Sequence, residues 1–131
     1  MNNTVDWTWS GKTLPSKKNS KSIKRKKNKE RKLVPFIDSS DEYKAWNVLF
    51  VRDIQTLKPI GDWKAAVFTF YTPDNREFDL SNKLESIMDG MVDAGYIKDD
   101  SYRYCPDIRI IFGGKSDTKE WIVKAEIELL T

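Results

Sequence analysis

The chain has 131 residues, a third of them charged, with 23 Lys or Arg against 20 Asp or Glu and a net charge of +3. That length makes one domain with a single modest core the default, and five Trp, five Tyr and six Phe suffice to fill it. With no histidine and one cysteine, Cys105, zinc sites built on Cys and His are excluded, as are Ser-His-Asp and Cys-His nucleophile systems and an internal disulfide.

Val5-Asp6-Trp7-Thr8-Trp9-Ser10 alternates apolar and polar residues, which predicts a short strand with one buried face. Gly11 and Pro15 break it. Residues 12–32 then hold eleven Lys or Arg and one Glu, a net of +10, so the remainder carries −7. A basic arm beside an acidic body reads as an anion-binding element, and nucleic acid is the commonest partner for such a run. The plainer reading is a solvated tail. A membrane surface fits less well, because Ile23 is the run's one apolar anchor. Ser16 to Lys32 reads as a mobile loop or hairpin, and Leu33 to Ile37 as a second edge strand, where Pro35 is tolerated.

Ser39-Ser40-Asp41-Glu42 has the spacing of a capping box. The following helix carries Tyr43, Trp46, Phe50, Ile54 and Leu57 as its apolar stripe and ends before Pro59 and Gly61. Ala65 to Tyr71 predicts a central strand covered on both faces, and Thr72-Pro73-Asp74-Asn75 a turn. A second helix runs from near Asp79 to Ala94, with Gly95 suited to its C-terminal cap. Its apolar face is Leu84, Ile87, Met88 and Met91. Its opposite face carries Asn82, Glu85 or Ser86, Asp89 and Asp93. Asp107 to Phe112 and Glu120 to Leu129 read as strands joined in a hairpin by Gly113 to Asp117. The expected fold is α+β: a mixed sheet of four to five strands with two helices on one face, in a single domain spanning 1–131. No apolar run reaches the ~18 residues of a membrane helix. The N-terminus shows no apolar signal core, and the lone cysteine fits a reducing compartment, so the expected location is cytoplasmic.

The densest chemistry lies between Asp79 and Asp100. Asp79 opens the second helix, Glu85 and Asp89 lie one turn apart on it, and Asp99 and Asp100 follow a Gly-marked return of the chain. Singly, each suits an ordinary role as cap, solvated face or turn. If the return brings Asp99 and Asp100 beside the helix, three or four carboxylates converge. Like charges that close repel by about 1–4 kcal/mol per pair at surface-like dielectric constants. A divalent cation removes the repulsion and acts as a Lewis acid, and oxygen ligands suit Mg²⁺ or Mn²⁺. Lys83 is near enough in sequence to neutralise a neighbour or a substrate phosphate.

This stretch resembles the signature of the RusA-like Holliday-junction resolvases, a family common in phages and prophages. That signature is Asp-x-Asp-Asn-Leu-x-Lys, then an Asp on the same helix, a Gly and an Asp-Asp pair. Aligned without gaps, Asp79 matches the first catalytic Asp, Asn82 the Asn, Asp89 the helical Asp, Gly95 the Gly, and Asp99-Asp100 the pair. Leu14-Pro15-Ser16-Lys17-Lys18-Asn19-Ser20 resembles the family's Pro-Ser-x-Asn element, and the order of elements also fits, so the likeness covers nearly the whole chain. Two positions depart. The family's second catalytic Asp falls on Ser81, and its catalytic Lys on Glu85. A permuted site follows, in which Glu85 supplies the missing carboxylate and Lys83 the positive charge.

The resemblance implies a Mg²⁺-dependent endonuclease, and a homodimer, that cuts branched DNA in recombination, repair or phage DNA processing. Asp79, Glu85 and Asp100 would be catalytic with Lys83, and Asp79, Glu85, Asp99 and Asp100 would hold the metal. Lys17, Lys18, Asn19, Lys21, Lys24, Arg25, Lys26 and Lys27 would contact DNA phosphates without reading bases. Ser81 and Glu85 speak for an alternative, a catalytically decayed protein that binds junctions or single strands. An RNA-binding reading lacks recognisable RNA-module aromatics.

Overall fold

The computed structural model describes residues 3–16, 21–27, 33–39, 41–98 and 107–130, with segments 21–27 and 33–39 described by their backbone. In chain order these form β1 (Thr4–Gly11), β2 (Lys21–Lys27), β3 (Leu33–Ser39), α1 (Asp41–Ile54), β4 (Trp63–Thr72), α2 (Leu80–Asp93), β5 (Ile108–Lys115) and β6 (Trp121–Leu129). β1, β6, β4 and β5, in that order, make one mixed four-stranded sheet, and β2 pairs with β3 in a separate two-stranded sheet. The architecture is α+β, with both helices on one face of the large sheet.

Alternation explains the inner strands. Trp121, Val123, Ala125 and Ile127 of β6 are buried, while Lys124, Glu126 and Glu128 between them are exposed. Cross-strand register places Trp7 and Trp9 of β1, Ala125 and Val123 of β6, and Phe68 and Phe70 of β4 on that same face. The helices close over it. Tyr43, Trp46, Phe50 and Ile54 of α1 are buried at helical spacing, with Leu57 partly buried beyond the helix end. Phe50 stacks on Trp46 at 4.9 Å and meets Trp9 edge-on at 5.5 Å and Trp7 at 6.5 Å. Each such pair adds about 0.5–1.5 kcal/mol beyond its buried area. Leu84, Ile87, Met88 and Met91 of α2 are buried as their spacing predicts. The helix ends in a Schellman turn. Gly95, at φ +72°, donates to the Val92 carbonyl, and Tyr96 donates to that of Met91, both at 2.9 Å.

Four expectations need correction. β5 and β6 do not form a hairpin. β5 pairs in parallel with β4, Phe68 opposite Ile110, while β6 pairs antiparallel with the other edge of β4. Gly113 and Gly114 belong to β5, where Gly113 passes so close over Tyr71 that a Cβ would lie 2.7 Å from its ring. The turn is residues 116–120, where the Ser116 hydroxyl donates to the Glu120 carbonyl at 2.6 Å. Second, β4 is fully buried on one face, while Ala65, Val67, Thr69 and Tyr71 on the other are half-buried. Third, the Leu33–Ile37 edge strand is β3, paired with the basic β2 and separate from the main sheet. Fourth, Ser86 is fully buried rather than on the polar face of α2. Of the proposed capping box, Ser40 lies outside the described residues.

Gly90 of α2 faces the Phe50 ring so closely that a Cβ would sit 2.4 Å from one ring carbon and 2.6 Å from the next. Phe50 is fully buried among three Trp rings and has nowhere to move. Gly90→Ala gains about 1 kcal/mol of helix propensity but overpacks the core at a cost of about 1–3 kcal/mol. The variant is expected to unfold at lower denaturant concentration. A more stable Gly90→Ala would show that the two helices are free to separate.

Candidate functional site

Asp79 is the N-cap of α2, with extended backbone (φ −82°, ψ 98°). One carboxylate oxygen accepts from the Ser81 hydroxyl at 2.6 Å and from the backbone N–H groups of Ser81 and Asn82 at 3.1 and 3.3 Å. The other accepts from the Asn82 side chain at 3.0 Å. These bonds satisfy the first orphan donors of the helix, and the negative charge complements its dipole. Ser81, at the family's second acidic position, is thus bound to the first.

Two side chains of the next turns reach across the fold. The Lys83 ammonium donates to the Leu14 carbonyl at 2.6 Å, and the Ser86 hydroxyl donates to the Pro15 carbonyl at 2.6 Å. Leu14, Pro15 and Ser16 are buried in consequence. The Pro-Ser element is therefore seated on the first two turns of α2. Lys83 lies over the rings of Trp121 at 5.2 Å and Phe78 at 5.5 Å, within cation–π range. Burial lowers its pKa below the ordinary 10.5; Glu42 opposes this and Arg76 adds to it. Sequence reasoning gave Ser86 no role. Its carbonyl partner stands 71 positions earlier, and no local pattern signals such a bond.

Glu85 is exposed. Helix geometry sets it about 9 Å along the axis from Asp79 and about 120° round it, and about 160° round from Lys83. Lys83 and Glu85 thus leave α2 on opposite sides. Asp89 is half-buried, and Asp93 accepts from the Asn47 side chain of α1 at 3.2 Å. Beside the start of α2, Arg76 Nε donates to Asp74 Oδ1 at 3.0 Å and Arg76 Nη2 lies 3.0 Å from Asp74 Oδ2, and this pair lowers the Asp74 pKa. Arg76, Phe78, Leu80, Thr72 and Phe112 line an open groove of about 480 Å³ there.

Asp99, Asp100, Lys17, Lys18 and Asn19 lie outside the described residues. Lys21, Lys24, Arg25, Lys26 and Lys27 all fall on β2. Among the described residues no three Asp, Glu or Cys side chains gather to hold a metal. Lys98 approaches Asp62 at 3.8 Å, just before β4, and Asp79 caps the far end of α2, a 14-residue helix about 21 Å long.

No protein-family model matches the chain, and no curated protein matches it at a significant level. No helix among the described residues is long and apolar enough to cross a membrane.

The buried Lys83 has a pH signature. Below its depressed pKa the folded chain carries the proton at a desolvation cost that the unfolded chain avoids. Between that pKa and 10.5 the unfolded chain binds more protons, so stability rises with pH. The unfolding free energy of the wild type minus that of Lys83→Met should climb as pH approaches 10.5. A pH-independent difference would show that the ammonium is not desolvated.

Proposed function

We propose that the chain is a Mg²⁺-dependent endonuclease for branched DNA, of the RusA-like type that its motifs resemble. The observation that carries this reading is the seating of Leu14–Pro15–Ser16 on α2 through Lys83 and Ser86, bonds that span 69 and 71 positions. It joins the two segments on which the resemblance rests. It also anchors the start of the +10 segment beside Asp79. Phosphates gathered by β2 and its flanking lysines are thereby kept near the acidic helix.

In this reading Asp79, Glu85, Asp99 and Asp100 hold the cation. The resemblance also implies a homodimer. Mg²⁺ held by these carboxylates would supply Lewis-acid chemistry, activating a water and stabilising negative charge on the departing 3′ oxygen. Lys83 fixes the helix start in place and keeps positive charge beneath it.

A second reading is favoured by one observation. Lys83 spends its ammonium on Leu14 and leaves the helix opposite Glu85, so the two do not rebuild the family's Asp–Lys arrangement. That suits a decayed enzyme that binds junctions or single strands.

Cleavage of a four-way junction separates them. The wild type should cut with Mg²⁺ and not without it. Asp79→Asn and Asp100→Asn should each abolish cutting and leave binding equal or tighter. Asn is as good an N-cap as Asp, so the fold is kept. Glu85→Ala should be as damaging if Glu85 is a ligand. Cutting by Asp79→Asn removes the metal-site reading, and tight binding without cutting by the wild type selects the decayed one.

The basic hairpin predicts a salt signature. Log affinity for DNA should fall linearly with log salt, because phosphate-bound lysines release counterions. Replacing Lys24, Arg25, Lys26 and Lys27 by Gln together should reduce the slope by up to about 3–4. An unchanged slope would place the phosphate contacts elsewhere.

A further inference from the structure

Both helices lie on one face of the large sheet, and among the described residues no helix covers the other. On that open face Thr69 and Tyr71 of β4 stand beside Lys124 and Ile122 of β6. Charge divides the face. Glu126 and Glu128, with Asp6 of β1, make the end where β4 starts acidic, whereas Lys124 stands toward the end where β4 finishes. At that finishing end Tyr71, Ile122 and Lys124 border a shallow hollow of about 200 Å³ with Lys115, the last residue of β5, and Asp117. Two lysines against one carboxylate leave the hollow positive. Neighbours place the Tyr71 ring. It lies over Gly113, where a Cβ would come within 2.7 Å of two ring carbons, and the Lys124 ammonium stands 5.2 Å from its centroid, within cation–π range. Lys124 is exposed, so a ligand that displaces its ammonium reaches the ring.

We infer that this hollow takes one unpaired base of a single-stranded nucleic acid, stacked on Tyr71, with the phosphates on either side of the base held by Lys115 and Lys124. A volume under the ~300 Å³ of ordinary ligand pockets holds one planar ring rather than a whole cofactor. Stacking on an aromatic side chain needs a base whose faces are free, which a paired base inside a duplex lacks. Besides the ring, Ile122 is the one apolar side chain lining the hollow, too little to anchor a protein partner. The acidic end of the face repels phosphate, so the strand crosses the finishing end of the sheet and does not follow β4 to its start. On binding, Lys124 exchanges its exposed contact with the ring for an ion pair with phosphate, and the base takes its place over the ring. The site lies on the opposite face of the sheet from α2 and uses none of that helix's carboxylates, so it goes beyond the nuclease reading and does not rest on it. DNA and RNA strands share this chemistry.

The test needs no metal and does not depend on cleavage. Affinity is measured by fluorescence anisotropy for a labelled short oligothymidylate and for an abasic strand of the same length, which keeps the phosphates and lacks the bases. The basic segment 12–32 meets both strands alike through phosphate, and a stacked base separates them. The wild type should bind the oligothymidylate about 5- to 150-fold tighter than the abasic strand. Tyr71→Leu keeps apolar bulk over Gly113 and removes the aromatic face, so the two affinities should come together, while Tyr71→Trp should keep them apart. Lys115→Gln with Lys124→Gln should weaken both strands and lower the salt slope by about 1–1.5. Equal affinity of the wild type for the two strands overturns the inference. So does a gap that survives in Tyr71→Leu, which would place the base elsewhere, a gap lost in Tyr71→Trp as well, or a salt slope that the double lysine variant leaves unchanged. The same pair of measurements with an oligouridylate and its abasic counterpart tells the source, the larger gap naming DNA or RNA.

Discussion

The whole fold hangs on Phe50. Its ring stacks on Trp46 of its own helix, meets Trp7 and Trp9 of β1 edge-on, and presses against the backbone of Gly90 in α2. One side chain thus sets three distances: α1 to the sheet, α1 to α2, and α2 to β1. A residue larger than glycine at position 90 would lift α2 away. The consequences reach the candidate site, since α2 carries Asp79, Lys83 and Ser86. Their bonds to Leu14 and Pro15 form only if α2 lies close to the chain leaving β1. Packing in a dry core therefore governs where an exposed acidic helix start faces solvent.

That packing also sorts charge. Leu14 to Ser16 are buried, yet the segment that follows is the most basic in the chain. The burial anchors Leu14 to Ser16, where that segment starts, on the first turns of α2. A lysine does the anchoring at some electrostatic cost. A Met at position 83 would fill the space beneath Phe78 and Trp121 without desolvating an ammonium. It would leave the Leu14 carbonyl without this donor, and an unpaired buried carbonyl costs about 1–3 kcal/mol. The lysine satisfies that carbonyl while keeping positive charge close to a site that meets phosphate in the proposed reading.

What was legible in the sequence was local. Alternation in β1 and β6 and the stripes of α1 and α2 need only near neighbours, and they read correctly, as did Gly95. The strand pairing did not. Gly113-Gly114 between two apolar runs looks like a hairpin, but the right pairing depends on β4, some forty residues earlier. Ser86 failed for the same reason, because its carbonyl partner lies across the fold. Composition alone could not tell a strand dry on one face from one dry on both, so β4 was overcovered. By contrast, the opposed directions of Lys83 and Glu85 follow from helix period and could be read without a structure.

The parallel placement of β5 has the widest reach. A parallel neighbour of β4 must be reached by a crossover, which here is α2. β4 and β5 therefore start at one end of the sheet, where Lys98 approaches Asp62, and finish at the other, where Asp79 caps α2. The crossover therefore carries the chain from the finish of β4, past the Asp79 cap, along α2 and back to Lys98 beside the start of β4, so the acidic helix start and the anchored Leu14–Ser16 segment sit at the end where β4 finishes.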